Sequence, residues 1–206
     1  MGKVILNISV SLDGFVAGPN DGPENPLGDG GDALFNWYFS GDTPYQMAGD
    51  VPPFRVSRIS AEYLKKGSEL MGAMVAGRRM FDIANAWQGH PPGEGPCFIV
   101  THNPPKEWVR DGSPFVFVTD GVESAIRQAK AAAGDKAVAV SSASIAQQCL
   151  QAGLLDEIHI DLAPVLLGGG VRLFEHLGNV PIQLEKIHTI DAPDVTHMGF
   201  RVVKNR

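Results

Sequence analysis

The chain has 206 residues, with 23 acidic against 17 basic side chains and a net charge of −6. That length suits one domain, 1–206, with a sizeable core, and that charge argues against a general nucleic-acid or anionic-membrane surface. No apolar run approaches the ~20 residues that cross a bilayer, so neither nucleic acid nor membrane is an expected partner.

In chain order, residues 3–12 read as a strand rather than a signal peptide, because Ile8, Val10 and Leu12 alternate with Asn7, Ser9, Ser11 and Asp13. A polar face on so apolar a strand either lines a pocket or packs against polar loops. Asp13-Gly14 signals a turn, and residues 15–17 form a second extended piece. Residues 18–56 are rich in Gly, Pro and Asp, a loop long enough to suggest a binding function. Within it Leu34, Phe35, Trp37, Tyr38 and Phe39 form an aromatic cluster, read either as a short amphipathic helix over the core or as a wall for a planar ligand, with Trp37 as the substrate contact.

Ser57 or Ser60 is placed to cap a helix through about Met71, with Ile59, Tyr63, Leu64 and Leu70 inward. Residues 73–76 read as a buried strand running into Gly77-Arg78-Arg79-Met80-Phe81 and a helix to about Trp87. Glycine at a strand end lets a ligand reach the backbone. Two arginines in a first helical turn oppose the dipole, which points to an anion rather than to helix stability. Residues 97–100 form a third strand ending at Thr101-His102-Asn103, where open α/β sheets bind ligands. After a strand at 115–118, Asp120 and Glu123 fit a capping box for a helix over 121–133.

Residues 137–174 read as strand, turn, helix, strand and glycine loop. The run 137–140 is apolar, Ser141, Ser142 and Ser144 offer hydroxyls to a helix start, and Gly153 ends the helix. Ile158, Ile160 and Leu162 then alternate with His159, Asp161 and Ala163. Residues 182–190 and 195–203 form an antiparallel pair that closes the sheet. Cys97 and Cys149 are isolated thiols in apolar settings, as expected in a reducing cytoplasm, and the histidine spacing suggests no metal site.

With Ser11-Leu12-Asp13-Gly14, Gly77-Arg78-Arg79-Met80-Phe81, Thr101-His102-Asn103 and the run from Ala152-Gly153-Leu154-Leu155-Asp156-Glu157 through Pro164-Val165-Leu166-Leu167-Gly168-Gly169-Gly170, nearly the whole chain resembles the dihydrofolate-reductase-like superfamily. Within it, the nearest branch is the reductase domain of riboflavin biosynthesis, the C-terminal part of the bifunctional deaminase-reductase. The resemblance implies a three-layer α/β fold, a mixed and mostly parallel sheet with a C-terminal antiparallel pair, NADPH as hydride donor, and a small heterocyclic substrate. It also implies a homodimer.

Carried onto this chain, the resemblance puts Gly77, Arg78, Arg79 and Met80 at the cofactor phosphates and Thr101, His102 and Asn103 at the adenosine ribose and its 2′-phosphate. Val16, Ala17 and Gly18 fall near the nicotinamide; Asn7, Ser9 and Asp13 edge the substrate. Asp13 is the one acid on the polar face of the first strand, so it reads either as the proton donor or as an ordinary turn aspartate. Ser141, Ser142, Ala143, Ser144 and Ile145 meet the pyrophosphate. Ser141-Ser142 replaces the usual Gly-Gly, adding side chains where the backbone approaches phosphate but offering hydroxyls to it; Met80 stands where threonine is frequent. Two readings follow: an NADPH reductase with an altered phosphate contact, or a shell that binds flavin or another planar ligand without turnover.

Overall fold

A computed structural model describes residues 2–46 and 53–204. The chain runs β1 (Val4–Ser11), β2 (Phe15–Ala17), a 3₁₀ helix (Gly31–Tyr38), β3 (Thr43–Tyr45), β4 (Phe54–Val56), α1 (Arg58–Leu70), β5 (Met71–Gly77) and α2 (Arg78–Ile83). A second 3₁₀ segment (Asn85–Gly89) follows, then β6 (Cys97–Val100), β7 (Phe115–Val118), α3 (Val122–Ala133), β8 (Ala137–Val140) and α4 (Ala143–Gln151). The last elements are β9 (Glu157–Ala163), β10 (Val171–Arg172), β11 (Leu184–Ala192) and β12 (Val195–Val202).

Eight strands form one sheet in the order β11-β12-β9-β1-β8-β5-β6-β7. From β9 to β7 every pairing is parallel, and β12 joins antiparallel to both β9 and β11. Parallel strands need cover on both faces. On one face Val4, Leu6, Val10, Val138 and Val140 pack with Ala125, Ala129, Ile145 and Cys149 of α3 and α4. On the other, Phe81 of α2 packs with Met74, Ile99 and Phe115.

Several local expectations change in three dimensions. The loop of residues 18–56 contains the first 3₁₀ helix and the β3–β4 ribbon; its residues 47–52 lie outside the described residues. Ser57 caps α1, its hydroxyl accepting from the Ser60 amide at 3.1 Å, but Ile59 and Leu70 face solvent and Ser60 is buried. Tyr63 and Leu64 turn inward as expected, Leu64 packing with Ala61 against the cluster around Trp37 and Val56, so the buried side of α1 combines these residues with the buried Ser60. Helix α2 stops at Ile83, since Asn85, Ala86, Trp87 and Gln88 all have positive φ, which an α-helix cannot accommodate. The Asp120–Glu123 capping box does not form; Gly121 stands at the N-cap of α3 without a side-chain bond. Gly153, with φ of 67°, ends α4 as expected.

Candidate active site

Strands β5 and β8 are direct neighbours and parallel, so their carboxyl ends meet at one rim. There the Gly77 amide donates to the Ser142 hydroxyl at 3.3 Å, bringing the starts of α2 and α4 together. Ser142 does not cap α4 with its side chain, so its hydroxyl faces across to β5 rather than along its own helix. A Cβ built on Gly77 would lie 3.4 Å from Ile145 Cγ1, Ser142 Oγ and Ser144 Oγ. The glycine thus leaves the backbone bare beside two hydroxyls and two helix starts without side-chain caps, so a group can approach the main chain there.

Both arginines reach this rim. Arg78 donates from Nε to the Asp82 carboxylate at 2.8 and 3.0 Å and from Nη1 to the Asn103 carbonyl, tying α2 to the end of β6. Arg79 donates from Nη2 to Asp21 Oδ1 at 2.7 Å and to the Asp21 carbonyl at 2.9 Å. Asp21 belongs to the loop after β2, so this pair draws that loop over the rim. Each guanidinium thus holds a carboxylate. Thr101 is buried and its hydroxyl accepts from the Asn103 amide at 3.2 Å, which shapes the turn; His102 and Asn103 are exposed. Met80 packs into the apolar cluster around Phe81 instead of facing the rim. Gly77, Arg78, Asn103, Ser142, Ser144 and Ile145 are thus gathered together, while Ser141 is held to β5 by its amide, which donates to the Val75 carbonyl at 3.0 Å.

The region around β2 is built differently. Val16 is half-buried, and Ala17 is buried and pairs with Val171 of β10. Gly170, at φ 121°, sits so close that a Cβ would lie 2.0 Å from the Ala17 oxygen. The Asp13 carboxylate accepts from the Ser11 hydroxyl at 2.6 Å and from the Leu167 and Gly168 amides at 3.1 and 2.7 Å. The Ser11 hydroxyl, and after it these amides, hold its pKa down at about 2. A carboxylate with a depressed pKa keeps its ties above the ordinary carboxylate range and loses them only as pH falls toward 2. Asp13 is therefore an anion near neutral pH. It ties the β1 turn to the glycine loop, the arrangement expected of a turn aspartate.

On the polar face of β1, Asn7 and Ser9 stand opposite His159 and Asp161 of β9, and Asp161 stands opposite His197 of β12. Ser9 is buried, and its hydroxyl accepts from the Trp37 indole at 3.3 Å. Trp37 is buried too, packed 5.3 Å from the His197 ring. Ser9 and Trp37 form the floor of this side and are not exposed to a substrate, because each is spent on the other. Asn7 is half-buried and donates to the Tyr63 hydroxyl at 3.4 Å. Sequence reading missed Tyr63, Ser60, Asp161 and His197 as a group. The alternation of β9 carried the signal for Asp161, but nothing local links it to His197, 36 residues later. Cys97 and Cys149 are free and buried, and burial raises both thiols to about 12. Among the described residues no His, Cys, Asp and Glu cluster could hold a metal ion, and no helix is long and apolar enough to cross a membrane.

The family model of the RibD C-terminal domain matches residues 2–196. Among solved structures, a protein named as a riboflavin biosynthesis protein of Shewanella sp. PV-4 is 22% identical, with a TM-score of 0.69 over 99% of this chain and 100% of that one. A diaminohydroxyphosphoribosylaminopyrimidine deaminase/5-amino-6-(5-phosphoribosylamino)uracil reductase of Thermotoga maritima is 11% identical, with a TM-score of 0.63 over 98% of this chain and 57% of that one. The dihydrofolate reductase of Enterococcus faecalis, in complex with NADP(H), is 11% identical, with a TM-score of 0.58 over 98% of each chain. No curated protein matches the sequence. At these identities the structures share the fold: an α/β arrangement with a mostly parallel eight-stranded sheet and an antiparallel pair at one edge.

Proposed function

The chain belongs to the RibD C-terminal domain family, and from that premise we propose that it is an NADPH-dependent reductase. Its substrate is a small pyrimidine- or pteridine-like heterocycle with a C=N or C=O bond, of the class reduced by 5-amino-6-(5-phosphoribosylamino)uracil reductase. The observation that supports this reading is the meeting of the α2 and α4 starts at one rim, where Gly77 leaves the backbone bare beside the hydroxyls of Ser142 and Ser144. The bound cofactor supplies hydride. This chain's own task is to hold it: the backbone at Gly77 and the start of α4 take the pyrophosphate, and Asn103 and His102 flank the adenosine. Orientation of this kind contributes up to roughly 7–11 kcal/mol to lowering a barrier. Water supplies the balancing proton, because Asp13 is held as an anion. Two buried reduced thiols support a cytoplasmic setting, and a symmetric homodimer is the assembly we expect.

The arginines supply a measurable handle. Arg79 is exposed while the Asp21 side chain is largely covered, and a phosphate competes with Asp21 for that guanidinium. Asp21→Asn removes the competing charge and is expected to tighten NADPH about 2- to 5-fold at low ionic strength, a gain that fades as salt screens the site. Unchanged affinity would mean that Arg79 does not meet the cofactor. The reaction itself is tested by following NADPH absorbance with 5-amino-6-(5-phosphoribosylamino)uracil. Stoichiometric oxidation supports the reductase. Saturable flavin binding without NADPH binding replaces it with the planar-ligand shell.

A further inference from the structure

Beneath α1 lies an arrangement that the cofactor rim does not use. His197 Nδ1 lies 2.7 Å from Asp161 Oδ1, and His197 Nε2 lies 3.0 Å from the Ser60 hydroxyl. Three elements contribute: β9 gives the acid, β12 the imidazole, and the first turn of α1 the hydroxyl. The order matches an acid–imidazole–hydroxyl relay of the kind that activates a nucleophilic serine. Hydrolysis is ruled out by access: Ser60, Asp161 and His197 are 1%, 1% and 0% exposed. Burying such a chain is expensive compared with apolar side chains of the same volume, so its use lies in what it holds in place.

What it holds is Tyr63. The Tyr63 ring stacks on His197 at 4.2 Å and 22°, and its hydroxyl accepts from Asn7 at 3.4 Å. Tyr63 sits one turn beyond Ser60 on α1, so fixing Ser60 against His197 fixes the ring above the same imidazole. Asn7 uses an acceptor position of the phenol, and among the described residues nothing accepts the phenol's own proton. Burial, then the negative charge of Asp161, raises the Tyr63 pKa, so the group stays a neutral donor throughout the physiological range. Unlike Ser9 and Trp37, Tyr63 and Asn7 are only half-buried. Next to them, the Nε2 of His188 is buried with no partner, its ring 5.8 Å from that of Tyr63.

We propose that Tyr63 donates a hydrogen bond to the carbonyl or imine heteroatom of the heterocyclic substrate, and that Ser60, His197 and Asp161 are positioning residues that set its ring. A neutral donor aimed at a heteroatom that gains negative character stabilises the transition state more than the ground state. The placement rests on the reductase reading for its chemistry, and on the β1–α1 geometry for its location.

The test uses protein labelled at tyrosine Cζ with ¹³C, in which Tyr63→Phe identifies the Tyr63 resonance. Addition of 5-amino-6-(5-phosphoribosylamino)uracil without cofactor is expected to shift that resonance and to leave those of Tyr38 and Tyr45 in place. Tyr63→Phe should lower kcat about 100-fold, with NADPH affinity within twofold of wild type. Ser60→Ala should lower kcat about 3- to 10-fold in the wild-type background and have no further effect in Tyr63→Phe, because it acts through the ring. A resonance that does not move, a Tyr63→Phe enzyme with wild-type kcat, or Ser60→Ala and Tyr63→Phe effects that multiply would each overturn the proposal. Failure of the reductase reading looks different: no NADPH oxidation by wild type, with the Tyr63 resonance still responding to the pyrimidine.

Discussion

Gly77→Ala is expected to fold as well as wild type and to bind NADPH at least tenfold more weakly. The two halves of this result have separate causes. Gly77 has φ of −86°, a value that alanine adopts freely. Its new Cβ would meet Ile145 Cγ1, Ser142 Oγ and Ser144 Oγ at 3.4 Å, the edge of ordinary contact. Nothing has to move, and the loss of glycine's freedom in the unfolded chain favours the variant by about 0.4–1 kcal/mol. Thermal unfolding should therefore show an unchanged or slightly higher Tm. The same methyl group covers the bare backbone between the two helix starts, so the pyrophosphate can no longer approach it. A tenfold loss corresponds to about 1.4 kcal/mol. Fluorescence titration with NADPH, run beside the melting curves, separates these effects. An affinity within twofold of wild type would place the dinucleotide elsewhere.

Asp161→Ala should have the largest effect on stability. It removes one partner of a pair 2.7 Å apart and leaves the fully buried His197 Nδ1 with no acceptor. An orphaned buried group of this kind costs about 2–5 kcal/mol, against a total stability of roughly 5–15 kcal/mol. Urea unfolding should show a lower midpoint with an unchanged slope, since the surface exposed on unfolding is the same. Asp161→Asn keeps an acceptor for the imidazole and should recover part of the loss. Equal stability of Asp161→Ala and wild type would show that the relay is not formed in solution.

The framework was legible because its signals are local. The apolar runs of β5, β6 and β8 are short and end in glycine or hydroxyl residues, the pattern of buried parallel strands feeding helices. Two such strands side by side make the meeting of Gly77 and Ser142 a consequence of topology, with no long-range knowledge required. Arg78 and Arg79 could be placed at the rim, but not their partners: Asp21 is 58 residues from Arg79 in the chain. The inner face of α1 was legible only in part. Ile59 and Leu70 are exposed, while Tyr63 and Leu64 turn inward beside a buried serine whose partner, His197, lies 137 residues away. The polar alternation on β1 was visible, yet the same pattern serves pocket and packing alike. Here Trp37 covers Ser9, which makes it packing, and only Asn7 remains available beside Tyr63.

The most direct test of a dinucleotide gripped by two helix starts is a crystal structure of the wild-type protein with NADPH. The expected result places the pyrophosphate between Gly77 and the Ser142–Ser144 turn, with Arg79 released from Asp21 and the adenosine beside Asn103. NADPH bound away from that rim, or no binding at millimolar cofactor, would contradict it.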